Sequence, residues 1–385
     1  MRLLTLAAAA LFTPLATSAA PLKGIPADVD VGMHISYDEA AKSKLHPTMQ
    51  TLQKRMEKLT QEADPAGAQR NKELMERLGI KPDASHAVDI GVRVAKGKTP
   101  AVDEETASPE FNVYIVARLD LRKAALDAFA KDQGVGPVVM GDISGWESSK
   151  LVGAILKVLA AEGGPSEMIE SMLLEYAVVM PEDNVLILCP VRDLAKTVAC
   201  WRGKSASYEL PAGARTLVSG TPLAHTQGHI AMRKMQETLD PESLKTDKAG
   251  LKDLAVVMGE DAKSVLIRVN ASFIDEAKAK VGAQQINATL ALGNLATAEE
   301  ETDDSDTKYF KGEAAVFMSG ITVKQEGATV AIHGTYPIEN AQKLLAKIGE
   351  KAEQTVREVA AAGQAPAATD ESEEMDAPPA PKKTK

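Results

Sequence analysis

Two stretches of this chain read alike although few of their residues match. Tyr176–Val198 (YAVVMPEDNVLILCPVRDLAKTV) and Ile321–Leu345 (ITVKQEGATVAIHGTYPIENAQKLL) each give an apolar run, a polar turn, a second apolar run and an amphipathic segment. That is the signature of a β-hairpin followed by a helix. One step upstream, Phe111–Lys131 (FNVYIVARLDLRKAALDAFAK) parallels Lys263–Gly282 (KSVLIRVNASFIDEAKAKVG), a strand running into a helix. Strand, helix, two strands, one or more helices, hairpin, helix therefore occurs twice. A hairpin cannot bury its apolar face alone and needs further strands or a covering helix. The order predicts an α+β fold of two related domains, each an antiparallel sheet covered by helices. The first is expected over residues 20–208 and the second over 209–362.

In the first half, Ala27–Ile35 alternates as a strand, and helices are expected over 38–61 and 66–78, the second stopped by Gly79. Leu45, Met49, Leu52, Met56 and Leu59 recur at 4-3-4-3 spacing, one apolar stripe that fits packing on the chain's own sheet. Strands follow at His86–Ala95 and Asn112–Leu119, then a helix at Leu121–Lys131 capped by Asp120. Helices over 148–161 and 165–174 precede the hairpin, and a helix over Val191–Arg202 follows it. In the second half, a strand at Arg215–Ser219 leads to a helix over Pro222–Leu239. Strands Asp253–Met258 and Ser264–Asn270 come next, then a helix from Ser272 and another over 283–297. The last hairpin is expected over Gly312–Val323 and Ala328–His333, before a final helix from Ile338 to Ala362.

The N-terminus reads Met1, Arg2, an apolar run from Leu3 to Ala16, then Thr17-Ser18-Ala19-Ala20. One positive charge, a short apolar core and small residues make a secretory signal peptide, with cleavage after Ala19. The run is too short for a membrane-spanning helix, and the rest of the chain holds no apolar run of that length. The protein is expected to be exported, to the periplasm or the extracellular space.

The net charge of −10 is unevenly spread: Glu299–Asp306 (EEETDDSD) holds six acids. That segment, 298–307, is expected to be a mobile loop. The tail from residue 363 is rich in Ala, Pro and acid and is expected to be disordered. No basic cluster suggests nucleic acid. The acidic segment lacks the ligand order and central Gly of a calcium loop, so no cofactor is expected.

Candidate chemistry is sparse. His225 and His229 in PLAHTQGHIAM are four apart, which on a helix would aim both imidazoles one way as a metal pair. The zinc-protease pattern also needs Glu after the first His, and Thr226 stands there. Cys189 and Cys200 would be separated along a strand and a helix, and the reading favours two buried thiols over a bridge. No strand–Gly-x-Ser-x-Gly–helix elbow and no phosphate-cradling Gly loop is present. With 4% aromatic residues, stacking platforms for sugars reduce to two tryptophans. Of these Trp146 is the better candidate for the surface, and Trp201 is expected in the core.

On the opening GIPADVDVGMHI and the repeated strand–turn–strand–helix units, the chain resembles uncharacterised exported bacterial proteins built of repeated α+β units. The resemblance implies the fold class and brings no activity with it. The expected function is non-enzymatic binding of another protein or an envelope component. The alternative is a secreted hydrolase with its site in the cleft between the halves, drawing on His225, His229 or acidic residues.

Overall fold

The computed structural model describes residues 22–80, 85–96, 109–140, 143–159, 173–242, 244, 247, 249–299 and 305–363. The expected signal peptide, most of the helix expected over 165–174, residues 300–304 and the tail from 364 lie outside them.

The chain opens with β1 (Leu22–Pro26) and β2 (Val31–Ser36), a short α1 (Tyr37–Ala40), and the helices α2 (His46–Ala63) and α3 (Pro65–Leu78). Then come β3 (Ser85–Ala95), β4 (Glu110–Leu119), α4 (Lys123–Asp132), β5 (Val138–Met140), β6 (Ile143–Glu147) and α5 (Ser148–Leu159). The hairpin β7 (Tyr176–Glu182) and β8 (Val185–Pro190) leads into α6 (Leu194–Trp201). After β9 (Ser207–Tyr208) and α7 (Ala212–Gly220), the second half runs β10 (Thr226–Ile230), α8 (Met232–Leu239), β11 (Leu251–Glu260) and β12 (Ser264–Phe273). It closes with α9 (Glu276–Glu299), α10 (Ser305–Ser319), β13 (Ile321–Glu326), β14 (Thr329–Pro337) and α11 (Ile338–Gly363).

Twelve of the strands form one antiparallel sheet in the order β13-β14-β12-β11-β10-β2-β3-β4-β8-β7-β6-β5. Counted outward from the centre, β2-β3-β4-β8-β7 and β10-β11-β12-β14-β13 follow the same order. The two expected sheets are thus joined edge to edge by the β2–β10 pair. The seam closes alike at both ends, Ala231 N donating to Asp30 O at 2.8 Å and Ser36 N to His225 O at 3.5 Å.

The first face of the sheet is covered by the β1–β9 ribbon, α6 and α7. It forms a core of Ile25, Tyr114, Val116, Ile187, Trp201, Tyr208, Leu217 and Val257. On the second face, α3, α4 and α5 pack over β7 and β8 around Leu74, Phe129, Trp146, Leu151 and Met180. At the far end α9 packs there through Ala279 against Phe273 and Val330. Leu45, at the start of α2, joins Tyr336, Ile338 and Ala341 of the second half.

Several expectations are corrected. Residues 215–219 are helical, in α7, and the helix expected over Pro222–Leu239 is a turn, the strand β10 and then α8. In β10 the buried positions are Gln227 and His229, so the period-2 signal lies in polar residues and does not read as an apolar strand. Residues 312–319 belong to α10, whose Val316 and Phe317 pack on the Tyr336 cluster, and the strand starts at Ile321. The two helices expected after Ser272 are one, α9, and the strand expected at Ala27–Ile35 is broken by a turn between β1 and β2. Of the loop expected over 298–307, residues 298–299 are helical in α9 and 305–307 in α10, where Asp306 meets Lys347 at 3.0 Å and also Lys351.

Asp120 does not cap α4, because the carboxylate of Asp183, in the β7–β8 turn, accepts from Lys123 N at 2.8 Å. Gly79 does stop α3, in the left-handed region at φ 67°, and Asp64 caps its start by accepting from Gly67 N at 2.7 Å. The stripe on α2 meets the sheet at Leu45, beside Tyr336, and beyond it turns to α11: Leu52 lies against Gly349, and Arg55 Nε is 2.7 Å from Glu353. Trp146 is buried among the α4 and α5 side chains, not at the surface, whereas Trp201 is in the core as expected.

Candidate functional site

The sheet register sorts the central side chains into two faces. One row runs Leu188, Ile115, Ile90, Met33, Gly228, Val256, Val269, Ile332 on the second face. The next row on the first face runs Ile187, Val116, Asp89, His34, Gln227, Val257. In that first-face row Ile187, Val116 and Val257 are fully buried. In the second-face row every residue is only half-buried.

The flanks of the second-face row touch packed helices, Leu188 under α4 and α5 and Ile332 under α9. Its centre is half-buried. Among the described residues, Ile115, Ile90, Met33, Val256 and Val269 belong to none of the four packed clusters. The neighbouring positions Val88, Val92 and Met258 are half-buried in the same way, whereas Ile35, paired with Val88, is buried. Of the helices nearby, α2 binds α11, α3 binds α4 and α5, and α8 lies against β3 and β11. The floor is a band of aliphatic side chains from five strands, with Gly228 of β10 in its middle. Its backbone groups are already spent in the sheet ladder, so it offers apolar contact and almost no polar readout.

The first face at the seam is polar. Asp89 is buried, with Oδ1 2.5 Å from His34 Nδ1 and Oδ2 accepting from Arg118 at 2.7 Å. His229 is buried, with Nδ1 2.6 Å from the Tyr208 hydroxyl and Nε2 3.5 Å from Asp253. Burial holds the His229 imidazole below its ordinary pKa, against the pull of Asp253. Burial likewise pushes the Tyr208 hydroxyl up. Asp30 carries Lys234 at 2.6 Å and accepts from Val94 N at 2.7 Å. Buried Glu260 accepts from Ser43 and from Lys44 N, tying the α1–α2 loop to the end of β11.

His225 and His229, the pair read as a possible metal site, lie along extended chain and not on a helix. Four residues of strand separate them by about 13 Å. His225 Nδ1 is 3.1 Å from Thr226 Oγ1, and His229 faces Tyr208. No group of three or more His, Cys, Asp or Glu among the described residues is placed to hold a metal ion. Cys189 and Cys200 are free and buried, and burial pushes the Cys189 thiol up to about 12. The His34–Asp89–Arg118 and Tyr208–His229 groups were missed in the sequence. Asp89 in AVDIGV carried the one signal, an acid at an inward strand position.

No family model and no curated protein matches the chain. Solved structures of TP0453 are similar to it. Crystal form III has a TM-score of 0.39 and 11% identity over 86% of this chain and 99% of that one. Crystal form I has a TM-score of 0.36 and 11% identity over 87% and 98%. No helix among the described residues is long and apolar enough to cross a membrane.

Proposed function

We propose that the chain is an exported binding protein whose ligand is an envelope component, held by its apolar part on the second face of the central sheet. The observation that carries this reading is the half-buried aliphatic band centred on Ile90, Met33 and Val256, in the middle of a sheet whose other face buries Val116, Ile187 and Val257 completely. Removing apolar surface from water is worth about 25 cal/mol per Å². A ligand that completes the cover of this band gains that energy, and an aliphatic floor suits an aliphatic body better than a hydrogen-bonding one. Under the same reading the halves, 20–208 and 209–362, derive from an internal duplication, which the matching strand order supports. The N-terminal segment is removed after Ala19, and intact mass of the exported protein tests this directly.

The test is site-specific photocrosslinking in intact cells. A photoreactive residue at Ile90 or at Val256 is expected to capture the same envelope component. One at His333, exposed on the opposite face, is expected not to. No capture from either floor position, or equal capture at His333, overturns the reading.

A further inference from the structure

The first face carries a second feature, independent of the apolar band. An open cleft of about 950 Å³ lies where the β1–β9 ribbon and the end of α6 stand away from the ends of β3, β4 and β8. We propose that this cleft binds a small monoanionic carboxylate with an apolar body, anchored by Arg118 and Lys23.

The anchor is argued from Asp89. This carboxylate is 1% exposed and must be met by partners, which are His34 on one oxygen and Arg118 on the other. A guanidinium has five N–H donors in a planar fork, and the described contacts of Arg118 use it only towards Asp89. Its side chain is 37% exposed and lines the cleft. A buried acid thus holds in place an arginine whose remaining donors face open space, the pre-organised form in which arginine takes a second carboxylate. Across the cleft, Lys23 Nζ sits 4.1 Å from the centre of the Trp201 ring. Among the described residues it meets no carboxylate.

The rest of the lining sets the ligand class. His86 is a poor anion anchor because Asp38 at 2.6 Å and Asp120 at 3.0 Å outnumber its single charge. Glu182, Asp183 and Glu209 also border the cleft. This acidic rim disfavours a dianion such as a phosphate monoester and leaves room for one negative charge. Between the charged groups Val185, Cys200, Trp201 and Ala206 line the cleft beside Asn184, Gly203 and Ser207, an apolar stretch that suits an apolar body on the ligand. The plain alternative is that Arg118 serves only to neutralise Asp89.

Calorimetric titration of the mature protein with hexanoate, phenyl phosphate and hexylamine separates the two. Saturable binding of hexanoate is expected, at least tenfold tighter than either of the others. Arg118→Lys keeps a cation beside Asp89 but loses the fork, and is expected to weaken hexanoate tenfold or more. Lys23→Gln lies on the surface and is expected to weaken it a few-fold with an unchanged unfolding curve, so the test survives if the arginine variant fails to fold. Absence of saturable hexanoate binding by the unaltered protein overturns the proposal. So does equal affinity in Lys23→Gln and Arg118→Lys, or binding of hexylamine or phenyl phosphate as tight as hexanoate.

Discussion

The Tyr208 hydroxyl lies 2.6 Å from His229 Nδ1, and the same tyrosine ring rests on the backbone of Gly32, the residue paired with His229 across the seam. One side chain from the link between the halves therefore touches both strands that join them. Gly32 is required for close approach: any side chain there would occupy the space of the ring.

Gly32→Ala is accordingly expected to destabilise the protein by about 1–3 kcal/mol, the usual range for overpacking. Urea unfolding measures it. Adding Tyr208→Ala is expected to recover part of the loss, because the overlap is removed. A double variant as unstable as the sum of the two singles would show that ring and glycine are not coupled.

The seam histidine makes stability depend on pH. Burial lowers the folded pKa of His229 below its unfolded value of 6.5, so the unfolded chain binds the proton more readily. The contribution of this residue is full above 6.5 and is lost as pH falls through the lower, folded value. His229→Gln keeps a partner for Tyr208 and is expected to flatten the fall in stability below 6.5. An unchanged slope in equilibrium unfolding would remove His229 from the account.

His86 has the opposite sign. The hydrogen bond to Asp120, and then that to Asp38, raise its pKa above 6.5. Its contribution is full below 6.5 and is lost as pH rises through the folded value. The side chain is 39% exposed, so solvent screens the effect. His86→Gln is expected to lower stability slightly at pH 6 and to leave it unchanged at pH 9. Equal loss at both would point to packing and not charge.

Leu45 is buried where the start of α2 meets Tyr336, Ile338 and Ala341. Leu45→Ala is expected to cost about 2–4 kcal/mol. Because the contact joins the first half to the last helix, hydrogen exchange should speed up in α11 as well as in α2. Faster exchange confined to α2 would contradict the packing described.

The hairpin–helix units were legible because each half of β7–β8 and of β13–β14 is bounded by turn residues, Pro181–Asn184 and Glu326–Gly327. The way the two sheets meet was not. The strand that makes the junction, β10, buries Gln227 and His229 and shows Thr226, Gly228 and Ile230 half-buried on its other side. Its inward positions are polar because they face His34, Asp253 and Tyr208 on three separate segments, and no local periodicity encodes that. The same applies to the candidate sites. Ile90 and Met33 read as ordinary core positions, and the structure leaves them half-buried, outside the four packed clusters. Arg118 reads as a strand residue, and only its register beside Asp89 gives it a partner.

The β2–β10 junction also bears on how such a chain is made. Val31 of β2 pairs with Ile230, so one edge of the first long strand stays unpaired until about 200 further residues have been delivered. Loops of that length close slowly, and an open strand edge is a template for wrong pairing. A chain threaded through a membrane from its N-terminus would present this edge early and satisfy it late. The interval between is when a holding chaperone would matter most.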